Sequence, residues 1–149
     1  MKRRTFLGAI VAAAVVVGRS AAAASSMIDV YKDPACGCCG KWVEHLRANG
    51  FSARVHETAA LDAFRARAGV PAALASCHTA LIDGYVIEGH VPAAEIRRVL
   101  ADRPQALGLA VPGMPAGAPG MDIPRAPGYT VLLFHADGTH RTYRSYPAS

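Results

Sequence analysis

The 149 residues contain no apolar stretch long enough to cross a bilayer. The longest, Phe6–Gly18, has thirteen residues, against the about 20 that a spanning helix needs. Charge is scarce, at 18% of residues, and it is unevenly placed. Lys2, Arg3, Arg4 and Arg19 lie near the N-terminus, and without residues 1–24 only 12 basic groups face 11 acidic ones. A nearly neutral domain has no electrostatic footprint for a phosphate backbone, which excludes nucleic acid as a partner. Little charge beside 52% apolar residues also excludes a disordered chain. There is no Ser-His-Asp constellation and no glycine loop of the phosphate-cradling kind. Asp29, Glu44, Glu57 and Asp83 form no carboxylate pair at a recognisable spacing. No internal repeat is present, and the length is that of one domain.

What is present begins with an address. Met1-Lys-Arg-Arg, the greasy middle and the small-residue tail Arg19-Ser-Ala-Ala-Ala-Ala-Ser25 make a secretory signal over residues 1–24, cleaved after Ala23 or Ala24. Arg3-Arg-Thr-Phe-Leu7 also fits a twin-arginine signal. By either route, Sec or twin-arginine, residues 25–149 are expected in the periplasm as a single domain with no membrane span. Thiols there tend to be oxidised unless something holds them.

In that domain Ile28–Tyr31 reads as a strand, and Asp33-Pro34 ends it. A helix follows over 37–49, with Trp42, Val43 and Leu46 as its buried stripe and Asn49-Gly50 as its left-handed stop. Phe51–His56 is a second strand. Thr58 is placed to cap a second helix that carries Leu61, Phe64 and Ala68 on one face and ends at Gly69. Thr79–Ile82 and Tyr85–Ile87 flank Asp83-Gly84, a strong hairpin signal. Pro92 opens a third helix with Ile96, Val99 and Leu100, which stops before Pro104. The order β-α-β-α-β-β-α is the thioredoxin-like arrangement of an α/β protein. Residues 104–128 hold six prolines and five glycines, a composition that excludes a regular helix or strand. Tyr129–Phe134 and Arg141–Tyr146, turned at Asp137-Gly138, close the chain as a hairpin.

The chemistry concentrates in Cys36-Gly37-Cys38-Cys39, between the first strand and the first helix. Cys36 and Cys39 have CxxC spacing, and Cys38 adds a third sulfur within one turn. Backbone N–H groups and the positive end of the helix dipole favour thiolates here. Thiolates are the ligands that soft metals take. The fourth sulfur, Cys77, stands with His78 just before the third strand. In a thioredoxin-like arrangement that loop packs against the CxxC turn, and His78 takes roughly the place of the usual cis-proline. Three readings stay open: two structural disulfides, a Cys36–Cys39 redox pair without metal, or a metal centre. Crowded sulfurs suit several ions sharing ligands, and thioethers beside thiolates point to Cu(I) rather than zinc. Met114 and Met121 offer two thioethers on the Gly/Pro loop. His90, at a helix entrance, could face the cysteine turn. His45 and His56 are expected to be solvated or satisfied structurally, and His135 and His140 to face each other across the last turn.

Four segments carry a resemblance: Tyr31-Lys-Asp-Pro-Ala-Cys-Gly-Cys-Cys-Gly-Lys-Trp42, Leu74-Ala-Ser-Cys-His-Thr79, Gly84-Tyr-Val-Ile-Glu-Gly-His-Val-Pro92 and Gly108-Leu-Ala-Val-Pro-Gly-Met114. Together they resemble the CopG-type periplasmic copper-resistance family, long filed as a domain of unknown function, over about residues 27–134. The resemblance implies a thioredoxin-like fold and copper bound through Cys36, Cys38, Cys39 and Cys77. It also implies a role in copper tolerance through interconversion of Cu(I) and Cu(II), and it matches the family's Met-containing loop at Met114 and Met121. The metal set expected from the whole reading is Cys36, Cys38, Cys39, Cys77, His78, His90, Met114 and Met121, holding one or more Cu(I) ions. The partners would be periplasmic copper-handling or electron-transfer proteins. The alternatives are a thiol–disulfide oxidoreductase using Cys36 and Cys39, and a passive copper chaperone. His135 and His140 lie outside the resemblance.

Overall fold

A computed structural model describes residues 27–149 apart from residue 122. The export signal expected over 1–24 lies outside the described residues. Among those described, no helix is long and apolar enough to cross a membrane.

The fold is mixed α/β, with three helices and a seven-stranded mixed sheet. In chain order come β1 (Met27–Lys32), α1 (Gly37–Ala48), β2 (Ser52–Glu57), α2 (Leu61–Arg67), a single 3₁₀ turn (Ala72–Leu74), β3 (His78–Ile82), β4 (Tyr85–Glu88), α3 (Ala93–Asp102), β5 (Gly108–Ala110), β6 (Tyr129–Phe134) and β7 (His140–Tyr146). The sheet order is β2-β1-β3-β4-β5-β6-β7. The β1–β2 and β4–β5 pairs are parallel and the other four antiparallel. Each parallel pair is joined through a helix, as a crossover requires.

Residues alternate across the sheet because successive side chains point to opposite faces. Ala80, Ile82, Ile87, Leu109 and Leu133 join Trp42, Val43 and Leu46 of α1 and Ile96 and Val99 of α3 in the main core. Val86, Ala110 and Phe134 instead pack with Val70 and Leu74 on a second, smaller core. The α1 stripe is buried as expected, and Gly50 takes the left-handed stop at φ +85°. Helix α3 ends with Arg103 in the left-handed region, one residue before Pro104.

Three expectations are corrected. The 104–128 segment is not free of regular structure, because β5 lies inside it. Residues 105–111, between Pro104 and Pro112, contain no proline and can offer backbone donors. Leu107 N–H donates to Phe134 O and its carbonyl accepts from Val86 N–H. Only glycine fits at 108, where a Cβ would stand 1.7 Å from Val86 O. Thr58 does not cap α2 directly. Its hydroxyl accepts from Ala60 N–H, and the helix begins one residue later. The most buried residue of α2 is Arg65, while Leu61, Phe64 and Ala68 are only half-buried. Finally, His135 and His140 are not opposite each other: His140 is in register with Phe134, and His135 bonds Thr139.

Candidate metal centre

The chain leaves β1 through Asp33-Pro34, where the Asp33 carboxylate accepts from Ala35 N–H and its carbonyl accepts from Cys36 N–H. That turn delivers Cys36 to the N-cap of α1, so three cysteines enter the helix's first turn. Cys77 comes from the segment before β3. Because β3 lies beside β1 in the sheet, the two segments end on the same side.

The four sulfurs of Cys36, Cys38, Cys39 and Cys77 lie within 4.8 Å of one another. Cys36 and Cys39 are joined in a disulfide, and Cys38 and Cys77 are free. Cys38 Sγ is 3.5 Å from Cys36 Sγ and 4.0 Å from Cys77 Sγ. Cys39 is fully buried, its sulfur 3.4 Å from Cys77 O. Cys36 and Cys77 face a cavity of about 410 Å³ that Asp33, Asp62, Arg65 and Ser76 also line.

Cys77 belongs to a second group as well. Its sulfur is 3.3 Å from His78 Nδ1 and 3.1 Å from His90 Nε2, and these three donor atoms also lie within 4.8 Å of one another. His90 Nδ1 is 2.7 Å from Pro119 O. A carbonyl can only accept, so Nδ1 carries the proton and Nε2 presents its lone pair to the sulfur. Fixing a histidine from its far nitrogen is how proteins orient a metal ligand. His78 is fully buried in β3, its ring tilted over Trp42 with centroids 4.2 Å apart. Burial, reinforced by His90, lowers His78 to about 3, so the imidazole is neutral. Its Nε2 has no hydrogen-bond partner among the described residues. Burial and the neighbouring Cys38 push the Cys77 thiol up to about 12. Without a cation, Cys77 therefore keeps its proton and can share it with His90; a bound soft cation would displace it.

The Gly/Pro loop is strapped across this site. Gly113 N–H donates to Ala75 O, and Gly113 O accepts from the Ser76 hydroxyl. At the other end Pro119 holds His90, and Gly120 passes so close to α1 that a Cβ would stand 2.7 Å from Trp42 N. Met121 packs against the main core. Met114 is 57% exposed on the loop surface. The structure thus groups Cys36, Cys38, Cys39 and Cys77, and Cys77 with His78 and His90.

The remaining histidines behave as expected of structural ones. His56 Nε2 is 2.8 Å from Asp29, with its ring stacked on Tyr31. His45 Nε2 accepts from Ala93 N–H. What sequence reasoning missed is a buried polar network beside Cys77. Glu88 and Arg65 pair at 2.7 Å, and Glu88 also accepts from Ser76 N–H and the Thr79 hydroxyl. One signal was available: a glutamate ends the otherwise apolar strand Tyr85-Val-Ile-Glu88.

Four sulfurs, two of them in a reducible disulfide, and an oriented imidazole form a donor set for a soft or borderline metal. These features define a small α/β protein with a thiol-rich cluster arranged to accept a metal ion. Two solved structures, "Copper resistance protein copG- Form 1" and "Form 2", each match at 46% identity and a TM-score of 0.77, covering 82% of this chain and 98% of theirs. The chain belongs to the CopG copper-resistance family. A family model described as "Protein of unknown function, DUF411" matches residues 74–121, which include Cys77, His78, His90 and the strapped loop. No curated protein matches.

Proposed function

We propose that this is a periplasmic copper-tolerance protein that holds Cu(I) on the thiolates of Cys36, Cys38, Cys39 and Cys77, assisted by His78 and His90. The observation that carries the reading is the convergence of two donor groups on one sulfur, Cys77, which stands between the cysteine turn and the histidine pair. A shared sulfur of this kind suits more than one ion. The Cys36–Cys39 disulfide must be reduced before all four sulfurs can bind. Met114 and Met121, on the strap, would add thioether donors if the loop shifts inward. Mixed sulfur and imidazole donors suit both copper oxidation states, so the site would also pass electrons between copper and a periplasmic partner.

We read the architecture as thioredoxin-like. The β2-β1-β3-β4 half, with α1 leading from the CxxC turn, supports this reading, and β5, β6 and β7 extend the sheet. The export signal over 1–24 would place residues 25–149 in the periplasm.

The test is titration of the fully reduced chain with Cu(I), without air, against a chelator of micromolar affinity. The protein is expected to win the competition and to weaken on Cys38→Ala. Failure to compete, or no change in Cys38→Ala, would end the proposal. The disulfide itself favours a second reading, a thiol–disulfide oxidoreductase. Cys36 faces the cavity while Cys39 is buried, which suits Cys36 as the attacking thiolate and Cys39 as the resolving one. Insulin reduction that survives Cys38→Ala and Cys77→Ala would favour this second reading.

A further inference from the structure

Glu88 and Arg65 are both withdrawn from water, at 0% and 7% exposure. A buried ion pair is a poor way to stabilise a core, since apolar residues of similar volume do as well or better. What distinguishes this pair is where its hydrogen bonds go. The Glu88 carboxylate accepts from Ser76 N–H at 2.7 Å and from the Thr79 hydroxyl at 2.6 Å. Arg65 Nη2 donates to Ser76 O at 2.6 Å, and that carbonyl belongs to the peptide leading into Cys77. Ser76 and Thr79 bracket Cys77 and His78. One carboxylate therefore grips the backbone before the two candidate ligands and the side chain after them.

The grip is anchored from three directions. Arg65 reaches in from α2, where Asp62 accepts another of its hydrogens. Glu88 stands in register with Thr79 across the β3–β4 ladder. Gly89, at φ +73°, lets the next turn pass beneath Ser76; a Cβ there would stand 2.5 Å from the Ser76 hydroxyl. Cys38, by contrast, rides on α1. The 4.0 Å between the Cys38 and Cys77 sulfurs is thus a distance between two independently anchored segments.

We propose that Glu88 and Arg65 are a positioning pair that sets the Cys77 sulfur against the CxCC turn and His90. The inference rests on the copper reading above. Neither residue touches a metal; both act through Cys77.

The experiment compares the wild-type chain with Glu88→Gln, Cys77→Ala and the double variant. All are reduced and titrated with Cu(I) against a competing chelator, and the sulfur-to-copper charge-transfer absorption is recorded alongside. Glu88→Gln is expected to weaken Cu(I) binding by roughly 10–100-fold, the range for groups that orient metal ligands. It should shift the absorption towards that of Cys77→Ala and add nothing in the Cys77→Ala background. Thr79→Val, which removes one hydrogen bond and keeps the shape, should move affinity the same way by less, and it carries the test should Glu88→Gln fail to fold. Wild-type affinity in a folded Glu88→Gln beside a weakened Cys77→Ala would overturn the positioning role alone, as would effects of the two substitutions that multiply. Equal binding by wild type and Cys77→Ala would overturn the copper reading and this inference with it.

Discussion

The β6–β7 turn and the sulfur site beside β1 and β3 satisfy their polar groups in opposite ways. In the β6–β7 turn the partners are neighbours in sequence: Asp137 accepts from both the N–H and the hydroxyl of Thr139, and His140 Nδ1 donates to the Gly138 carbonyl, each two residues away. At the sulfur site they come from far along the chain. Cys38 and Cys77 are 39 positions apart, and Trp42 Nε1–H donates to Val91 O across 49. A local turn can lose one contact and still form, because closing a short loop costs less entropy than closing a long one. The sulfur site has no such insurance, since α1, β3, the His90 turn and the 113–121 strap must all be in place at once. The difference teaches that function here depends on tertiary packing far more than the hairpin does.

The largest expected effect tests that claim at Trp42, which is fully buried between His78 and the passing Gly120 backbone. Trp42→Ala should cost about 3–5 kcal/mol of stability in urea unfolding and should also impair Cu(I) binding. Leu133→Ala, in the core beneath β6, sharpens the contrast. It should cost about 2–5 kcal/mol yet leave the Cu(I) affinity of the folded protein unchanged. Cys77→Ala should do the reverse, with little change in unfolding and more than roughly 100-fold weaker Cu(I) binding, beyond the range for outer orienting groups. His90→Ala should weaken binding by roughly tenfold, measured in the same chelator competition. If Leu133→Ala and Cys77→Ala had equal effects on both readouts, the separation of the two regions would be broken.

The smallest effect belongs to the hairpin turn. Hydrogen bonds from the Thr139 hydroxyl and N–H hold the Asp137 carboxyl below its ordinary value. A carboxyl depressed in the folded state contributes stability above its unfolded value, and the contribution is lost as pH falls through the folded value. Asp137→Ala should therefore lower Tm slightly at neutral pH, and the gap to wild type should close in acid. Its Cu(I) affinity should match wild type.

Much of the local structure was legible in the residues. The α1 stripe of Trp42, Val43 and Leu46, the Asn49-Gly50 stop and the Asp83-Gly84 turn all follow from spacing and turn chemistry within a few positions. So does the crowding of Cys36, Cys38 and Cys39 at a helix start. Strand β5 escaped because composition was averaged over 104–128, while its pairing depends on β4 and β6 on either side. Arg65 and Glu88 escaped because each, read alone, is a charged residue that would normally face water. Their burial makes sense only once they meet, 23 positions apart.

By itself the sequence determined which segments become helices and strands, and that three sulfurs share one turn, because those outcomes depend on periodicity and short-range sterics. Only the tertiary structure decided that Cys77 joins the trio, that His90 turns an unprotonated nitrogen towards it, and that a buried ion pair grips the segment between Ser76 and Thr79. Strand order brings these groups together, and strand order is settled by burying both faces of one sheet at once, a condition no local stretch of residues can express.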